Sequence, residues 1–451
     1  MTTAVSTSVM QALRREFRPM LSLAGPVVLA ELGWMSMTVV DTIMVGRLGA
    51  EAIGAVSIGS ILFYSVAIFG MGLLLGLDTL VSQAFGAGKV SDCNLSLWQG
   101  VYLALMLTPF IMATALLFPP AMRAFGIREE ILKSAIPYLN AIVWSALPLL
   151  TYGAFRRYLQ GMGLVHPVMF ALLSANLVNV AGNWALIFGK WGAPELGVEG
   201  AGWATTVSRI YMASVLIGYT LRREWRSPSG LFEKFPRLHP ARLRELLRLG
   251  LPAASQVTLE VGVFGLATLL AGKLTTASLA AHQIALNCAS FTFMVPFGVA
   301  SAGAVRVGHA IGRRDPVGAR ESGWTALALG AGFMLLAGAL FLLLPEWILR
   351  IFTQDAAVIA TGVTLLFIAA VFQLFDGIQT VATGILRGAA DTRTPMTMNF
   401  VGHWLIGLPV GYALCFQAGM GAVGLWTGLS LGLIFVALVL LRVWARKVRT
   451  F

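Results

Sequence analysis

The chain has 451 residues, of which 57% are hydrophobic and only 12% charged, and it carries a formal net charge of +12. A soluble chain of this length would divide into several domains with charged surfaces, so the composition excludes an ordinary soluble protein and makes lipid the solvent for most of the surface. The basic excess does not mark a nucleic-acid binder either, because no soluble basic face with interleaved aromatics is present.

A polar, basic stretch with Arg14, Arg15 and Arg18 comes first. Apolar segments long enough to cross a hydrocarbon core of ~30 Å then recur down the chain. The expected spans are residues 19–46, 51–85, 94–118, 132–157, 166–189 and 200–221, then 246–272, 277–310, 318–344, 357–386, 395–417 and 422–444. The first has no short apolar core followed by a small-residue cleavage site, so it is expected to remain as a membrane helix rather than be removed as a signal peptide. Between the sixth and seventh spans lies the longest polar break, "RREWRSPSGLFEKFPRLHPARLRE" from Arg222 to Glu245. The fold expected is an all-α integral membrane protein of twelve transmembrane helices in two pseudo-symmetric six-helix lobes. An N-terminal lobe covers 1–222, a cytoplasmic linker 223–245 and a C-terminal lobe 246–451.

With the N-terminus in the cytoplasm, the connections on that side hold 24 of the basic residues, among them Lys89, Arg156 and Arg157. The other side holds seven: Arg47, Arg123, Arg128, Lys133, Lys190, Lys273 and Arg350. Only Arg209 is left over, inside a span. This asymmetry follows the positive-inside rule and places both termini in the cytoplasm, in the cytoplasmic (inner) membrane. An offset of 226 residues lays Pro26 over Pro252, Gly46 over Gly272, Ala55 over Ala281, Ile58 over Ile284, Gly72 over Gly298 and Gly86 over Gly312. Each half holds an even number of spans, so the repeats are parallel, the design of transporters whose two halves rock about a site.

Intramembrane acids are costly, at least ~2.5 kcal/mol each at a helix centre, and mark functional positions. Four lie well inside spans: Glu31, Asp41, Glu260 and Asp376. Asp78 lies near a helix end, where it can reach the interface. Glu260 sits about 21 Å and Asp376 about 15 Å from the cytoplasmic ends of their spans, at a rise of ~1.5 Å per residue. Two carboxylates at similar depth can share a proton or a cation such as Na+. Gln283 and Asn287, four apart in the eighth span, could face this pair. Phe264, Phe293 and Phe372 offer aromatic faces to an organic cation, or serve only as packing. In the first half, Asp41 and the fifth-span amides Asn176, Asn179 and Asn183 form a second polar group; Asn179 and Asn183 share a helix face, for ion coupling or for interhelical bonding. Glu31 and Trp34 of the first span are the candidates there for contact with substrate. Cys93, Cys288 and Cys415 match no metal spacing and read as small packing residues. The strings "GLSLG" at Gly428 and "GMGAVG" at Gly419 follow no strand and read as helix packing, not as catalytic or nucleotide motifs.

The chain resembles the multidrug and toxic compound extrusion family, and most closely its NorM-like branch. The resemblance rests on "VVDTIMVGRLG" from Val39, "QAFGAGK" from Gln83, "LEVGVFG" from Leu259, "AAHQIALN" from Ala280, "RVGHAIG" from Arg306 and "LRGAADTRTP" from Leu386. It implies a monomeric antiporter that exports small cationic amphipathic compounds against an inward flow of H+ or Na+, with no cofactor. It also implies ion-coupling roles for Asp41, Glu260 and Asp376 and cavity positions for Phe264 and Phe293. Phe372 departs from the family where some members carry a tyrosine, which weakens a Na+ assignment. Asn183 departs from a branch that carries an aspartate, which weakens a first-lobe proton site.

Three other readings compete. A flippase for a lipid-linked substrate would need a basic central cavity, whereas the central charges here are acidic. An intramembrane enzyme would need paired catalytic motifs such as HExxH, which are absent from the sequence. A passive channel would not need a two-lobe repeat with discrete acids.

Overall fold

A computed structural model describes residues 2–124, 129–232 and 237–450. Within these the regular secondary structure is all helical, with no strand. The helices are α1 (Thr2–Gly46), α2 (Ala50–Leu73), α3 (Gly76–Gly86), α4 (Val90–Ala124), α5 (Glu129–Val143), α6 (Ala146–Gly161), α7 (His166–Phe188) and α8 (Val198–Arg226). Then follow α9 (Pro240–Ala271), α10 (Thr276–Gly312), α11 (Pro316–Leu343), α12 (Pro345–Arg350), α13 (Ala356–Gly388), α14 (Arg393–Asn399), α15 (Leu408–Tyr412) and α16 (Gly421–Lys447). Two π-helical segments, Phe400–Gly407 and Ala413–Gln417, flank α15.

Ten of these stretches are long and apolar enough to cross a membrane, and α5 with α6, bent by 46°, forms an eleventh. The twelfth expected span is α8, 29 residues long but diluted by Glu199, Arg209 and the arginines at its end. The break between α5 and α6 falls at Trp144–Ser145, where the Ser145 hydroxyl bonds back to the Ile142 carbonyl at 2.5 Å. Arg209 fastens this break by donating to Ser145 Oγ at 2.5 Å.

The chain packs as two compact units, one of residues 29–254 and one of residues 1–28 with 255–451. This division differs from the expected boundaries at 222 and 246, because α1 and α9 each contribute to both units. In the 29–254 unit, Leu246 and Ala254 of α9 belong to the core formed with α2, α3 and α4. A Cβ on Gly72 would lie 2.5 Å from the Ala254 Cα, so only glycine allows that approach. In the other unit, Met20 and Ala24 of α1 enter the core with Val299, Ala300 and Ala302 of α10. There a Cβ on Gly298 would lie 2.5 Å from Val28 Cγ2 and 2.9 Å from the Val28 nitrogen. The same unit holds a charged tether on α1: Glu16 accepts from Arg306 Nη2 at 2.5 Å and from Ser322 Oγ at 3.0 Å.

The first π-helical segment and α15 pack closely on α16. Gly402, Gly407 and Gly411 lie against the backbone of α16 at Gly432, Gly428 and Leu425, so close that side chains on either face would not fit. Such widened turns recur near functional positions in helices.

The linker region is irregular at 227–232 and at 237–239, and residues 233–236 of the expected 223–245 linker lie outside the described residues. Residues 229 and 231 are stitched to α4: Asn94 Nδ2 donates to the Ser229 carbonyl at 3.0 Å, and Trp98 Nε1 to the Leu231 carbonyl at 2.9 Å.

Candidate functional site

In the 29–254 unit, α1, α7 and α8 bring the expected first-half residues together. Asn183 Nδ2 donates to Asp41 Oδ1 at 2.6 Å and lies 3.2 Å from Asn179 Oδ1. The i, i+4 spacing of the two asparagines puts both amides on the face of α7 that meets α1 and α8. Asn176, two turns before Asn183 on the same stripe of α7, bonds the Gly33 carbonyl of α1 at 3.0 Å and serves as interhelical glue.

Thr205 Oγ1 lies 3.3 Å from Asp41 Oδ2. Asp41 opens on a small pocket lined by Trp34, Met37, Thr38, Tyr64, Thr205, Arg209 and Met212. Thr205, Tyr64 and Arg209 are absent from the sequence-based site. The signal for Arg209 was its position as the one basic residue inside a span.

Arg209 is held as a cation with no carboxylate in contact among the described residues. Its guanidinium donates to Ser145 Oγ and, at 2.5 Å, to the Tyr64 hydroxyl, and it lies 5.0 Å and 5.3 Å from the ring centroids of Phe63 and Tyr64. Two hydroxyls and two π-faces make this burial tolerable. With Asp41 ionised, the pocket holds one negative and one positive group.

Two expectations are corrected on α6. Arg156 and Arg157 are not in a connection: the helix continues to Gly161, and both are buried, at 4% and 6% exposure. Arg156 pairs with Glu31, and Arg157 with Asp78 at 3.4 Å. Asp78 is correspondingly fully buried rather than at an interface. Buried charges persist in such a medium when each has an opposite partner, and here each has one. Glu31 therefore faces Arg156 and does not line the pocket, whereas Trp34 does line it and stacks on Tyr152 at 6.4 Å.

The second-half residues lie in the other unit. Glu260 of α9 accepts from Gln256 Nε2 and from Gln379 Nε2, each at 3.4 Å. Gln379 also donates to Asn399 Oδ1 at 3.2 Å. Asp376 lies one turn before Gln379 on α13, buried and within range of the Glu260 charge. The two acids thus share an amide-rich environment built by α9, α13 and α14. Gln256 and Gln379 were missed, although their spacings of four and three residues from the acids put them on the same helix faces. Gln283 and Asn287 are exposed on α10 and bond neither acid.

Of the aromatics, Phe264 packs 6.4 Å from the His403 ring on the π-helical turn, and Phe293 stacks on Phe297 at 5.7 Å. Phe372 is 7% exposed and packs on Trp426 at 5.7 Å, within a hydrophobic core. His282 fixes this corner: it accepts from Trp426 Nε1 at 2.9 Å on Nδ1, so Nε2 carries the proton toward Thr268 Oγ1 at 3.0 Å.

Comparison with known proteins completes this picture. The MatE family profile matches residues 26–185 and 252–413, two stretches whose starts are 226 residues apart, the offset of the internal repeat. The chain is 37% identical to the probable multidrug resistance protein NorM of Mesorhizobium japonicum, over 97% of this chain and 95% of that one. It is 34% identical to the multidrug resistance protein NorM of Vibrio cholerae, over 96% and 95%. Among solved structures, a eukaryotic MATE transporter superposes with a TM-score of 0.85 at 21% identity, covering 97% of this chain and 98% of the other. An outward-facing multidrug resistance MATE transporter of the MOP superfamily gives 0.85 at 19% identity, covering 96% and 95%.

Proposed function

Because the chain belongs to the MatE family, the multidrug and toxic compound extrusion transporters, we propose that this multi-pass membrane protein is a secondary antiporter that exports cationic amphipathic compounds by alternating access, coupled to proton entry. Na+ is the other coupling ion that the acids could serve, and Phe372, buried and without an oxygen, favours the proton.

The observation that carries this reading is the Asp41 pocket. An acid lies there beside aromatic and thioether surfaces from Trp34, Tyr64, Met37 and Met212, a surface suited to flat apolar cations. Arg209 supplies a constant positive charge in the same space. With Asp41 ionised the pocket is neutral and can hold a cation against the carboxylate. When a proton reaches Asp41, only Arg209 remains charged, and a bound cation is repelled. Exchange of proton for cation then needs no further device than the two halves of this pair. Glu260 and Asp376, held by Gln256 and Gln379, provide a second proton-accepting group in the other unit.

Equilibrium binding of a fluorescent cationic dye to the purified protein tests this exchange. The parental protein should bind dye at pH 8 and release it on acidification. Asp41→Asn, a fixed mimic of the protonated acid, should bind dye only weakly even at pH 8 and so show little acid-driven release, and Glu260→Gln should lose part of that release. Acid release unchanged in both variants would remove these residues from the coupling.

A further inference from the structure

On α6, Tyr152, Arg156 and Gln160 are four residues apart and form one polar face about 12 Å long in a membrane-crossing helix. All three are buried, and none is fully satisfied. Gln160 is inaccessible, and neither its Oε1 nor its Nε2 has a hydrogen-bond partner among the described residues. Arg156 uses Nη2 on Glu31, but its Nε is unpaired. The Tyr152 hydroxyl lies beside Arg156 without a hydrogen bond of acceptable geometry. Polar atoms at membrane depth are tolerated only where protein or water satisfies them. Four such atoms along one face mark a line of hydration sites, each water gathering several buried partners.

The ends of this face have definite neighbours. At one end Trp34 stacks on Tyr152 and lines the Asp41 pocket. At the other, α6 stops at Gly161, on the side of the membrane that carries the N-terminus if each span crosses once. Midway, Glu31 bonds Arg156 through Oε1 and leaves Oε2 without a hydrogen bond among the described residues. The charged groups around the face are Glu31 from α1, Arg156 and Arg157 from α6, and Asp78 from α3.

We propose that the Tyr152–Arg156–Gln160 face of α6, with Glu31 of α1, is a hydrated track that carries the coupling proton between the Asp41 pocket and the N-terminal side of the membrane. The inference rests on the proton-coupled reading above. A proton leaving the Asp41 carboxyl passes along water to Glu31 Oε2, then to water held by the Gln160 amide, and out to bulk. Every group returns to its starting protonation, so one proton crosses and no other species is consumed. The Glu31–Arg156 pair keeps the track neutral at rest.

Two measurements on the full-length protein in proteoliposomes test this. The first is labelling of the Gln160→Cys variant by a small, water-borne methanethiosulfonate reagent, read peptide by peptide, with the fully buried native Cys93 as the internal reference. A hydrated track predicts modification of the introduced thiol at least about tenfold faster than of Cys93, whereas equal rates would mean a dry core and overturn the proposal. The second is efflux driven by a pH gradient in Gln160→Leu, which removes the amide at similar volume. Efflux should fall about tenfold while dye binding at equilibrium is kept, and Gln160→Asn should restore much of the rate. Parental-rate efflux in Gln160→Leu overturns the track. So does a fall that Gln160→Asn does not relieve while binding is kept. Absence of pH-driven efflux in the parental protein itself would instead sink proton coupling, and with it the track's role in carrying protons.

Discussion

At the scale of single residues, the clearest solvent-facing example of a side chain organising backbone is Glu224, at the end of α8. Its carboxylate accepts from the Ser229 nitrogen and Ser229 Oγ, both at 2.7 Å, and from the Leu231 nitrogen at 2.9 Å. Partial burial pushes the carboxyl up, but the hydrogen bonds from Ser229 and Leu231 outweigh it and hold it below its ordinary value. A depressed carboxyl contributes stability that is fully present above its unfolded pKa, about 4.3, and is lost as pH falls through the lower folded value. The 224–231 turn should therefore be equally protected from hydrogen exchange at pH 8 and pH 6 and lose protection only in strong acid. Glu224→Gln should raise exchange in that turn at neutral pH, and unchanged exchange would show that the three bonds do not hold it. The residues that sequence could pair were those close in the chain: Asn179 with Asn183, or Glu260 with the neighbours it was not credited with, Gln256 among them. Glu31 and Arg156 are 125 residues apart, and Asp41 and Thr205 are 164 apart, so no helical spacing announces either contact. Arg156 and Arg157 were misplaced for the same reason, because a charge near a span end reads as interfacial until its buried partner is known.

At the scale of elements, α1 and α9 are the instructive helices. Each is continuous past a proline, Pro26 or Pro252, and each contributes to both compact units. The close approaches at their shared positions repeat at the 226-residue offset: Val28 with Gly298 in one unit, Ala254 with Gly72 in the other. The sequence aligned the two glycines with each other, but the helix that each receives was not legible, since hydropathy marks what is buried and not against what. Gly72→Ala and Gly298→Ala should each destabilise the protein by about 1–3 kcal/mol, because the new methyl meets backbone that cannot step aside. Gly25→Ala on α1, where nothing lies within 4 Å, is the matched control and should be neutral or slightly stabilising. Thermal unfolding followed by size-exclusion chromatography in detergent reads the difference. Equal midpoints for all three variants would mean that the approaches are looser than the structure shows. The α5–α6 bend and α8 show the reverse limit of hydropathy. A serine-containing break and a buried arginine make two membrane segments look less apolar than their neighbours, although Ser145 and Arg209 satisfy each other.

At the scale of the whole molecule, the twelve-segment count, the internal repeat and the family were legible because lipid imposes long apolar stretches and glycine marks close helix contact. The proposed orientation rests on charge. Eight basic residues lie from Arg222 to Arg248, and the positive-inside rule puts that stretch in the cytoplasm. A cysteine at Ser229 should therefore resist an impermeant thiol reagent applied to intact cells and react once the membrane is opened; labelling in intact cells would reverse the orientation. On the proposed reading, with the basic side inward, a proton passes from outside to the cytoplasm while a cation leaves in the opposite sense, the exchange proposed for Asp41, Glu260 and Asp376. The most direct test is efflux of a cationic dye from proteoliposomes under an imposed pH gradient in Na+-free buffer and, separately, under an imposed Na+ gradient at constant pH. Proton coupling predicts rapid efflux with the pH gradient alone and little response to Na+. No pH-driven efflux, together with rapid efflux when Na+ is added outside, would contradict it.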